Sequence, residues 1–160
     1  MSVIKRGEDS KYTGRITPDD FFALVKKEFG EFDLDVCATK EDTKAAKWIS
    51  EDSLDKEWKG LCWMNPPPYD SKGITPWIIK AYLTGQKKGN MVVCLLPALV
   101  DQAWFHEYCL RASEIRFIRG RLRFSNAKFS ASFASILVIF RDNLRTIAPI
   151  ISTMKRNLNE

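Results

Sequence analysis

The chain has 160 residues, 45% of them hydrophobic and 28% charged, with five Trp and ten Phe; that composition describes one folded domain, not a disordered segment. Its longest apolar run, Met91 to Val100, is ten residues long, against the roughly 20 a bilayer crossing needs, and Met1–Tyr12 lacks the apolar stretch of a secretory signal, so a cytoplasmic protein with no membrane segment is expected. The net charge of +5 is uneven: residues 1–80 carry 13 basic and 15 acidic side chains, residues 81–160 carry 12 and 5, and eight of the ten arginines fall in the second half, which points to a polyanionic partner held by that half.

Residues 1–15 are polar and read as a flexible segment. Thr17-Pro18-Asp19-Asp20 opens a helix, with Thr17 as N-cap and Pro18 at the first helical position; Phe21, Leu24, Val25 and Phe29 keep helical spacing and Gly30 ends it. Phe32–Cys37 and Trp48-Ile49 read as short strands, and Leu61–Met64 as a buried strand cut off by three prolines. Ile74–Thr84 is a helix with Trp77, Ile78, Ala81 and Tyr82 inward. Met91–Leu96 is apolar throughout, as strands buried on both faces are. Asp101–Arg111 reads as a helix, residues 114–124 and 134–140 as strands, and the tail 144–160 leaves room for a short helix despite Pro149. Strands alternating with helices predict an α/β fold. Its sheet is mixed and mostly parallel, with an antiparallel edge and helices on both faces.

Cys37, Cys62, Cys94 and Cys109 stand singly, and His106 is the lone histidine. None of this has metal-ligand spacing, so no metal site is expected and the cysteines read as buried thiols. His106, between aromatics and acids, reads as a packing or surface residue.

Asn65-Pro66-Pro67-Pro68-Tyr69 carries the chemistry. It follows a predicted strand directly, and open α/β sheets bind ligands at the carboxyl ends of their strands. An exocyclic amine on a planar ring is a poor nucleophile because its lone pair is delocalised. Asn65 Oδ1 can accept one of its N–H groups and a prolyl-segment carbonyl the other. The prolines stiffen that backbone and have no N–H to compete. An aromatic ring then stacks on the base.

These residues resemble the small phage DNA adenine-N6 methyltransferases, the Dam-like group of S-adenosylmethionine-dependent methyltransferases. The resemblance runs from about Thr17 to Arg141, through Phe32–Ala38, Asp52-Ser53-Leu54, Trp63–Pro67, Leu95-Leu96-Pro97, Trp104-Phe105-His106, Glu114–Phe124 and Val138–Arg141. It implies a Rossmann-like methyltransferase domain over residues 16–143. The reaction would be methyl transfer from S-adenosylmethionine to N6 of adenine in double-stranded DNA, with a phage or prophage origin. Asn65, Pro66, Pro67 and Tyr69 are then the catalytic set. Thr17, Asp35, Cys37, Ala38, Asp52 and Asn65 are the cofactor set, with Asp35 on the cofactor's α-amino group. Thr17 also has a reading as helix cap, and Asp52 one as N-cap of the helix after it. Two departures stand out. Asp35-Val36-Cys37-Ala38 lacks the Gly-x-Gly of many methyltransferases. Pro68 separates Tyr69 from the paired prolines, so Tyr69 reaches the base through a rearranged loop, or another aromatic stacks, or activity is weakened; as a loop residue Tyr69 packs on Trp77 instead.

Arg116, Arg119, Arg121 and Arg123 crowd into eight residues. On an extended strand, Arg119, Arg121 and Arg123 share one face, which suits a phosphate backbone; Lys128 adds a basic loop residue. The Asn-Pro-Pro-aromatic device also serves adenines in RNA and glutamines in protein, and a degenerate relative would bind DNA without reacting.

Overall fold

The computed structural model describes residues 15–67, 73–142 and 148–160, and its elements follow the predicted alternation. In chain order they are α1 (Asp19–Phe29), β1 (Leu34–Asp35), β2 (Lys47–Trp48), β3 (Leu61–Met64), α2 (Thr75–Gly85), β4 (Met91–Pro97), α3 (Ala103–Glu107), β5 (Glu114–Ile118), β6 (Ser135–Arg141) and β7 (Ile150–Met154). The seven strands form one sheet in the order β2-β1-β3-β4-β6-β5-β7. The antiparallel part is β6 alone, and it lies inside the sheet, between β4 and β5, not at the edge. All other pairs are parallel. The carboxyl ends of β1, β3, β4, β5 and β7 and the amino end of β6 therefore share one edge of the sheet.

Both faces of the sheet are covered because its central strands are apolar on both sides. Cys62, Met64, Val92, Cys94, Ile136 and Val138 pack against α2 and α3. Trp63, Val93, Leu95, Leu137 and Ile139 pack against α1. Trp63 meets Phe22 and Phe32 edge-on, at centroid distances of 5.0 and 5.7 Å, a favoured aromatic geometry. That contact ties the start of α1 to the end of β3. On the other face α2 lies flush on β6: a Cβ added at Gly85 would come 2.6 Å from the Phe140 backbone.

Several local expectations are corrected. Pro18, not Thr17, caps α1, its carbonyl taking the Phe22 N–H at 2.9 Å; the Thr17 hydroxyl is drawn away to Asn65. β1 and β2 are only two residues each. The expected helix 101–111 is α3 followed by a 3-10 turn at Cys109–Arg111. The strand expected over 114–124 stops at Ile118, because Gly120 turns the chain at φ 76° and Leu122 and Phe124 leave the sheet to cover the α1 side. The tail has no helix among its described residues; β7 extends the sheet beyond residue 143 by pairing with β5 from Glu114↔Ile150 to Ile118↔Met154. No helix among the described residues is long and apolar enough to cross a membrane.

Candidate active site at the carboxyl edge of the sheet

Asn65 sits immediately after β3, and its side chain is tied on one side only. Its Nδ2 donates to the Arg15 carbonyl at 2.5 Å and to Thr17 Oγ1 at 3.1 Å. Two acceptors on the nitrogen fix which way the amide lies. Oδ1 is thereby left as the acceptor, with no hydrogen bond from the described residues. The Asn65 backbone carbonyl is engaged by Cys37 Sγ at 2.9 Å. Pro66 follows, buried, and then Pro67. Pro68 and Tyr69 lie outside the described residues.

Asp35, at the end of β1, is 3% exposed. Its carboxylate accepts the backbone N–H of Lys44 at 2.9 Å and that of Cys37 at 3.3 Å. Burial outweighs these bonds and raises its pKa to about 7. Asp42 pushes it up further and the Lys44 charge pulls it down. Thr17, Asp35, Cys37, Ala38 and Asn65 line one cleft together with Arg15, Asp42 and Lys44. The expected cofactor residues thus come together, apart from Asp52. That residue is exposed, holds a left-handed φ of 51°, and makes no side-chain cap on the turn that follows. It stays near the end of β1 because Ser53 Oγ donates to the Val36 carbonyl. Burial pushes the Cys62 and Cys109 thiols up to about 12, so neither is a thiolate nucleophile. His106 Nε2 donates to the Val100 carbonyl at 2.7 Å.

The arginines divide. Arg116, expected among the nucleic-acid contacts, is committed to the protein: its side chain is 13% exposed, pairs with Glu28 and with Glu114, and lies over the Phe29 ring. Glu28, on α1, is 88 residues away along the chain. Arg119, Arg121 and Arg123 are exposed on the loop after β5, and Lys128 is exposed further along it. Arg121 and Arg123 line a polar cleft with Asp20, Ser130 and Arg156. Sequence reasoning missed Arg156. It follows β7, and only the parallel β5/β7 pairing brings it to the same edge; its basic character was the one signal available.

A family model described as DNA N-6-adenine-methyltransferase (Dam) matches residues 9–160. The chain belongs to the Dam family. It is 36% identical over 116 residues to the DNA N-6-adenine-methyltransferase of Haemophilus phage HP1 (strain HP1c1), a stretch covering 69% of this chain and 65% of that protein. It is 32% identical over 110 residues to the DNA N-6-adenine-methyltransferase of Escherichia phage T1, covering 66% of this chain and 44% of that one. The matched stretch therefore spans less than two thirds of either relative. The mixed, mostly parallel seven-stranded sheet is the α/β architecture that Dam membership leads one to expect.

Proposed function

We propose that this chain transfers a methyl group from S-adenosylmethionine to N6 of adenine in double-stranded DNA, in the cytoplasm of a bacterial host. The observation that carries this reading is the one-sided tethering of Asn65, which leaves Oδ1 as an oriented acceptor, with the Pro66 carbonyl next along the chain. Those two oxygens take the two N–H groups of the target amine and hold its nitrogen in line for attack. Positioning of this kind supplies much of the acceleration without a strong general base. A stacked, paired adenine must first leave the duplex, at a cost of a few kcal/mol.

The cleft at Asp35 fits the cofactor on the chemistry of its donors and acceptors. A buried carboxyl whose ionised form is penalised gains from a cation, and the methionine part of S-adenosylmethionine carries an α-ammonium. When bound, that cofactor supplies a methyl group already activated on a sulfonium. Thr17, Cys37 and Ala38 shape the cleft around it. Pro67 and Tyr69 complete the catalytic segment in this reading.

Arg119, Arg121, Arg123 and Lys128, joined by Arg156, hold the DNA backbone. Arg121→Ala is expected to weaken DNA binding and reduce the slope of log affinity against log salt by about 1. Arg116→Ala should leave that slope unchanged and lower the melting temperature, since it strips Glu28 and Glu114 of their partner. Binding titrations between low and moderate salt check the two slopes, and thermal melts the stability of Arg116→Ala. An unaltered slope for Arg121→Ala removes it from the phosphate contacts.

The test of the reading itself is label transfer from S-adenosylmethionine to duplex DNA, RNA and protein in parallel. DNA should be the preferred acceptor. Preference for RNA or protein would replace the substrate, and cofactor binding without transfer to any of them would mark a degenerate DNA-binding relative.

A further inference from the structure

Ser135, the first residue of β6, is 2% exposed, and its Oγ has no hydrogen-bond partner among the described residues. Its cross-strand neighbour, Pro97, has no N–H to offer it. A buried hydroxyl without a partner is costly, and native proteins keep few of them. This one lies in the wall of a cleft that also contains Asn65, Pro66, Phe124 and Phe133. The same cleft already holds a flat, delocalised group against an aromatic face. The Arg15 guanidinium is 4.3 Å from the Phe133 centroid and 5.8 Å from that of Phe124. Guanidinium and nucleobase share the planar shape that stacks on a phenyl ring.

We propose that Ser135 Oγ donates a hydrogen bond to a ring nitrogen of the target adenine, and that the base lies on Phe133 where the Arg15 guanidinium now rests. The inference rests on the function proposed above and specifies how that site reads its base. With the amine on Asn65 Oδ1 and the Pro66 carbonyl, the ring acceptors flanking it are N1 and N7. Bringing in the base turns Ser135 from an unsatisfied donor into a satisfied one, so its cost in the unliganded protein is recovered only on binding. Stability given up at a site in exchange for function is a common pattern.

The test combines Ser135→Ala with duplexes whose target adenine, located by sequencing the methylated product, is replaced by 1-deazaadenine or 7-deazaadenine. Ser135→Ala should lower kcat/KM by roughly five- to tenfold, the range for one neutral hydrogen bond. Its melting temperature should be unchanged or higher. One of the two analogues should cost the wild type a similar factor and cost Ser135→Ala nothing further. Full activity in Ser135→Ala, a lowered melting temperature, or equal penalties from both analogues in the two proteins would overturn the proposal. A wild-type protein inactive on ordinary duplex DNA is a separate result: it removes the proposed function, and this inference with it.

Discussion

Asn65→Ala should abolish methyl transfer, with kcat falling on the order of 10³-fold, the effect of removing one preorganised hydrogen-bonding group from a reacting centre. Affinity for S-adenosylmethionine should change by less than about tenfold on the same scale of single contacts. The asymmetry follows from where the two ends of the amide go. Nδ2 is anchored to the Arg15 carbonyl and Thr17 Oγ1, so the substitution removes an oriented acceptor and loosens its tether together. The Asn65 backbone carbonyl keeps its contact with Cys37 Sγ, so the wall of the cofactor cleft stays in place. Rapid-quench measurement of transfer beside calorimetric titration of the cofactor separates the two effects. Equal loss in both would make Asn65 a residue that shapes the cleft and nothing more.

Asp35→Asn should weaken cofactor binding by about 100-fold, as expected for loss of a charge-assisted hydrogen bond in a buried place. Wild-type affinity should itself depend on pH. Burial holds the Asp35 carboxyl near a pKa of about 7, and only the ionised form attracts the cofactor's ammonium. Affinity should therefore rise as pH climbs from about 6 to about 8, a trend that Asp35→Asn lacks. Stability runs the other way. The folded pKa is raised above the ordinary value of 3.8, so the folded state holds the proton more tightly than the unfolded one. The associated stabilisation is full below about pH 4 and is lost as pH rises through about 7. At pH 8 the unliganded Asp35→Asn protein should melt at or above the wild type, while the same added cofactor concentration raises the wild-type melting temperature more than the variant's. Wild-type affinity that is flat across this interval would contradict the role given to Asp35.

Local patterns made the centre of the molecule legible. Leu61–Met64 and Met91–Leu96 are apolar enough to demand burial on both faces, and they are β3 and the body of β4. The Asn65 segment stands where a strand followed by prolines must put it, and Asp35 and Thr17 meet it because they too lie at the carboxyl edge. What local pattern could not carry was long-range pairing. The crowding of four arginines after Glu114 suggested one nucleic-acid-binding group, with Arg119, Arg121 and Arg123 on a shared strand face, yet Arg116 answers to Glu28 on α1, and Gly120 breaks the strand before Arg121. The tail suggested a helix because nothing nearby reveals that β5 offers it an edge; that same pairing is what makes Arg156 a neighbour of Arg121. Ser135 fell inside the expected strand 134–140 with nothing in the pattern to single it out, since the missing partner of a hydroxyl is a property of the packed structure alone.

The central claim is that an oriented amide acceptor beside a prolyl carbonyl directs a methyl group onto an adenine amine in DNA. Its most direct test is transfer from labelled S-adenosylmethionine into unmethylated duplex DNA, followed by digestion to nucleosides and separation of the labelled product. The label should be recovered as N6-methyl-2′-deoxyadenosine. Label in a methylated cytosine, or none in the DNA while the cofactor binds, would contradict the claim.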